Sequence, residues 1–85
     1  MQSLTQLPAA NVILDYLQKD RISDGIEPGA LEKISKLLGN KLLNREEMRQ
    51  SIEKNLHMSI VKIIFILDAL ERCAEGKPLV NSSLK

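Results

Sequence analysis

The sequence predicts an all-α protein, a small bundle of three to four helices completed by homodimerisation. Three observations lead there. Apolar residues recur three and four positions apart in successive segments. Helix start and stop residues stand between those segments. The most apolar stretch, Ile60-Val-Lys-Ile-Ile-Phe-Ile-Leu67, continues without a breaker through Asp68-Ala-Leu-Glu-Arg-Cys-Ala74 to Gly76. Its Ile and Val content would suit a buried strand. The run is of helical length, however, and no other segment offers a strand for it to pair with.

The first helix follows Pro8, which suits a first helical turn because its missing N–H is not needed there. Ala9, Val12, Ile13, Tyr16 and Leu17 form its apolar stripe, and it ends near Asp20. Residues 21–29 contain Asp24-Gly25 and Pro28-Gly29, both turn dipeptides, and read as a loop. A second, short helix carries Leu31, Ile34, Leu37 and Leu38, and Gly39-Asn40 closes it, since both residues tolerate a left-handed backbone. The third helix has a complete start signal. Asn44 caps, Glu47 three residues on is its reciprocal partner, and Leu43 and Met48 form a hydrophobic staple. Met48, Ile52 and Leu56 are its stripe. The weak helix formers from Asn55 to Ser59 place a break or kink before the fourth helix, with Ser59 as its cap.

On a helical wheel, Ile60, Ile63, Ile66, Leu67, Leu70, Cys73 and Ala74 of the fourth helix share the core face. Asp68, Glu71, Arg72 and Glu75 form the solvated face. Val61, Ile64 and Phe65 continue that outward face toward the amino terminus, where three short partner helices leave them bare. Burying each is worth roughly 1.5–3 kcal/mol, against an association cost of about 4–15 kcal/mol. A two-fold contact centred on Val61, Ile64 and Phe65, with Asp68 at its polar end, is therefore expected. The alternative is that the first helix folds over this face and completes a monomeric core.

The 85 residues make one domain, with 1–7 and 77–85 expected to be flexible. A net charge of +1 favours neither nucleic acid nor protein as a partner. The charge is uneven. Residues 1–32 hold two basic and five acidic side chains, and residues 33–62 hold seven basic and three acidic. The start lacks the features of a signal peptide, the apolar run from Ile60 is too short to span a bilayer, and a single Cys fits a reducing compartment. A cytoplasmic location with no membrane contact is expected.

Nothing in the sequence reads as an active site, a metal site or a cofactor site. His57 has no second His or nearby Cys, and Cys73 falls on the core face. Glu46-Glu47 at a helix start serves capping and the helix dipole. Asn81-Ser-Ser83 matches a glycosylation acceptor only if the chain is secreted, and no phosphate loop is present. Nucleic acid remains a second reading. Leu31 to Gly39 resembles the first half of a helix-turn-helix, although the turn that follows is long and Arg45 stands where an apolar residue is expected. Lys41, Arg45, Arg49 and Lys54 are candidate phosphate contacts and Gln50 a candidate base contact, or else they are simply a solvated face.

The residues Ile13-x-x-Tyr16-Leu17, Leu31-x-x-Ile34-x-x-x-Leu38, Leu43-Asn44-Arg45 and Ile52-x-x-x-Leu56 together resemble the YmgB/AriR/YcgZ family of small bacterial regulatory connector proteins. The resemblance covers about residues 12–57 and departs from that family in lacking most of the linker before the last helix. It implies an all-α homodimer influencing biofilm and acid-stress regulation, through protein contacts or DNA. The expected activity is binding, as a regulatory or adaptor protein. A dimeric DNA-binding regulator and a chaperone or antitoxin-like subunit of a hetero-complex are the alternatives.

Overall fold

The computed structural model describes residues 3–77. Four helices dominate it: α1 (Ala10–Lys19), α2 (Pro28–Leu38), α3 (Arg45–Asn55) and α4 (Ile60–Glu75). A 3-10 helix, Arg21–Gly25, joins α1 to α2. Two three-residue strands, β1 (Leu4–Gln6) and β2 (Leu42–Asn44), pair antiparallel with Thr5 opposite Leu43. The architecture is thus predominantly helical, with a small sheet that an all-α reading omits.

The stripes read from the sequence supply most of the core. Ile13 and Leu17 of α1, Leu31, Ile34 and Leu38 of α2, and Met48 and Ile52 of α3 are buried. They meet Ile63, Ile66, Leu67, Leu70 and Cys73 of α4, joined by Leu7, Ile26 and Ala69. The Ile60 stretch is helical, as its length requires. Ser59 caps it, accepting from the Lys62 N–H, and Gly76 ends it in the left-handed conformation. The break after α3 is real, with Leu56 in extended conformation.

Several expectations need correction. Pro8 lies before the Ala9 N-cap, so it is not in the first turn of α1. Its carbonyl instead accepts from the Asn40 N–H at 2.8 Å. Residues 21–29 are not a loop. The Asp20 carboxylate caps the 3-10 helix by accepting from the Ile22 N–H, and Pro28 opens α2 from N1, where its fixed φ is already helical. Within the segment 1–7, Leu4–Gln6 are paired in β1 and Leu7 is buried. Val12 and Ile60, assigned to apolar stripes, are 47% and 48% exposed. Ile60 sits in the first turn of α4, where the helix runs past the core and opens onto a groove. Of the tail expected to be flexible over 77–85, residues 78–85, with Pro78 and the Asn81-Ser-Ser83 motif, lie outside the described residues. No helix among the described residues is long and apolar enough to cross a membrane.

Candidate functional site

The outward ridge of α4 is the most conspicuous surface feature. Val61, Ile64 and Phe65 are 57%, 42% and 53% exposed, and Ile60 adjoins them. Helix α1 packs on α4 from the buried side, so it does not cover this face. The ridge has a groove on each flank. One, about 630 Å³, lies between α4, the start of α3 and β1, and its lining includes Leu4, Ile60, Ile64, Arg45 and Glu71. The other, about 440 Å³, lies between α4 and the 3-10 helix. Ile22, Ile26, Val61 and Phe65 give it an apolar lining, and Arg21 and Lys62 add positive charge.

Arg45 bounds the apolar ridge on one side. Its guanidinium donates to Asp68 Oδ1 at 2.9 Å and to Glu71 Oε1 at 3.0 Å, joining the first residue of α3 to the middle of α4. Partial burial disfavours the cation, but those hydrogen bonds outweigh it, and the Arg45 pKa is raised. Asp68, expected at the polar end of the interface, is therefore engaged within its own chain. Arg72, expected in the solvated face, reaches back to Asp20. That carboxylate is buried at the end of α1, and Arg72 donates to both its oxygens at 3.2–3.3 Å. Sequence reading could not foresee a pair 52 residues apart. Its one local signal is an Asp directly after a helix end.

The candidate nucleic-acid contacts are less available than their count suggests. Arg49 is held by Glu46 and Glu53, and the hydrogen bonds it donates to Glu46 are the main reason its pKa rises. The same bonds lower the Glu46 pKa. Gln50 donates to Glu46 at 3.2 Å, and Arg45 is occupied as described. Lys41 and Lys54 are exposed. Strand β2 occupies the place where a helix-turn-helix has its turn, so α2 and α3 do not follow one another as that motif requires.

Little else offers chemistry. Cys73 is buried and burial pushes its thiol pKa up, while His57 is exposed on the α3–α4 connection. Among the described residues no three His, Cys, Asp or Glu side chains stand together as a metal site. Gly76-Lys77 is the sole Gly-Lys pair in the chain, and it lies at the carboxyl end of α4. Residues 6–79 match the KAP family P-loop domain. No curated protein and no solved structure matches the chain.

Proposed function

The chain belongs to the KAP family P-loop domain, and from that premise we propose that it is a member that acts by binding protein, as a regulatory or adaptor module, rather than by hydrolysing nucleotide. Family membership raises the expectation of a nucleotide and Mg²⁺, and the residues present do not fit them. A phosphate cradle needs G-x-x-x-x-G-K-[S/T] between a strand and the start of a helix. Here Gly76-Lys77 is preceded by Glu71 five positions before the glycine and followed by Pro78. The pair also sits at a helix carboxyl terminus, whose dipole repels phosphate where an amino terminus would attract it. In P-loop enzymes an aspartate helps to hold Mg²⁺. The apolar run that ends on Asp68 is helical, and Arg45 occupies that carboxylate.

One observation carries the binding reading: Val61, Ile64 and Phe65 form a contiguous apolar ridge that nothing among the described residues covers. A second copy is the proposed partner. The resemblance to small regulatory connector proteins supports the same class of role.

The test is Phe65→Glu. A carboxylate from each chain would enter an apolar contact, where it is strongly disfavoured. The dimer should dissociate by light scattering while circular dichroism retains most of the helix signal, since Phe65 lies outside the buried core. An unmutated chain that stays monomeric at high concentration ends the self-association reading.

A further inference from the structure

The groove between α4 and the 3-10 helix continues past its apolar walls at both ends. Toward His57 it opens into a hollow of about 370 Å³, with which it shares Ile26, Ser59 and Lys62. Toward Arg72 it meets a hollow of about 320 Å³, sharing Arg21, Ile22 and Phe65. The three form one trough. Its middle is apolar, and a cation stands at each end of that middle, Arg21 on one side and Lys62 on the other. The charge there is not cancelled from within the chain. Asp20 is held by Arg72 and Asp68 by Arg45, so those two carboxylates of the lining are already engaged. Arg21 and Lys62 are exposed and make no ion pair among the described residues. The groove between them has no carboxylate in its lining, and Glu27 stands farther on, at the His57 end.

We infer that the trough takes a segment of another protein in which large apolar residues have Asp or Glu on both sides; this rests on the protein-binding reading above. Ile22, Ile26, Val61 and Phe65 give apolar side chains a surface to bury, and that burial supplies the affinity. A carboxylate on either side pairs with Arg21 or Lys62, which fixes the register of the segment and speeds its encounter. A basic segment would instead meet like charge at both ends. A nucleic acid backbone could reach the two cations but has no apolar side chain to fill the space between them. Val61 and Phe65 also belong to the proposed two-fold contact. The segment and a second copy therefore compete for α4, and binding the segment releases the dimer.

A displayed library of random peptides, selected on the full chain, tests this without a known partner. Selected sequences should be rich in Asp and Glu placed on both sides of Leu, Ile, Phe or Trp. A synthetic peptide of the selected sequence should lose at least about tenfold in affinity for the double variant Arg21→Glu, Lys62→Glu, read by fluorescence anisotropy. Both side chains are exposed, so circular dichroism of the variant should match the unmutated chain. The same peptide with Lys in place of its acids should bind the variant better than it binds the unmutated chain. Selected sequences without acidic enrichment would overturn the inference, as would equal binding by the variant or no selection above background. Sedimentation of the chain alone separates the two readings. A monomer that still binds the peptide ends self-association only, and a dimer that selects no peptide ends this inference only.

Discussion

At Gly39 a methyl group has nowhere to go. A Cβ there would stand 2.8 Å from the Ala10 backbone nitrogen and 3.0 Å from its Cα, so the end of α2 lies directly against the start of α1. Gly39→Ala should destabilise the fold by about 1–3 kcal/mol, because backbone rather than a flexible side chain must move. Gly29, in the first turn of α2, has nothing within 4 Å of that position. Gly29→Ala should leave stability unchanged or raise it by up to ~1 kcal/mol. Urea melts of the two variants check the contrast. The sequence marks Gly39-Asn40 as a helix stop, but the two residues do different jobs. Asn40 alone takes the left-handed backbone, at φ 64°, while Gly39 serves close approach. Such a contact between residues distant in sequence has no local signature. The same holds for Asp20 and Arg72, whose pairing depends on α1 and α4 being neighbours.

Among the elements, what sequence alone reveals tracks how local the cause is. The start of α3 was legible in full. Asn44 Oδ1 accepts from the Glu47 N–H at 2.8 Å, and Glu47 Oε1 accepts from the Asn44 N–H at 2.9 Å. Asn44→Ala should cost about 0.5–2 kcal/mol. Glu47→Ala should cost less in that background than in the unmutated chain, because the two groups act as one unit. A double-mutant cycle by denaturant melts measures this, and strict additivity would contradict the reciprocal bonding. The strands were not legible. Three residues show no usable alternation, and each strand exists only because the other lies some forty positions away. Residues 21–29 show a third case. Their turn dipeptides were read as a loop, yet Asp24-Gly25 ends a 3-10 helix and Pro28-Gly29 begins α2, because Pro at N1 is as natural as Pro in a turn.

For the molecule as a whole, the exposed ridge of α4 was visible in the wheel of one helix, because Val61, Ile64 and Phe65 fall on the side away from its core stripe. The occupancy of the basic residues was not, because Arg45 bonds across to α4 and only the packed arrangement of helices reveals it. Net charge along a segment therefore overstated the surface open to phosphate. A whole-molecule test follows for the nucleotide question. Any ligand that binds only the native state raises its apparent stability by mass action. Thermal melts with and without millimolar Mg²⁺-ATP should coincide for this chain. A concentration-dependent rise in the midpoint would restore nucleotide binding to consideration.

The β1–β2 pair also has a mechanical side. It ties residue 4 to residue 44, closing a ring of chain around α1, the 3-10 helix and α2. Asn44 is both the last residue of β2 and the cap of α3. The ring can close only once the start of α1 lies beside the end of α2, where the Leu7 N–H reaches the Lys41 carbonyl and the Asn40 N–H reaches that of Pro8. Tension applied at the first strand would thus pass across a few hydrogen bonds into the opening turn of α3, loading that helix at its cap before it strains the packed interior.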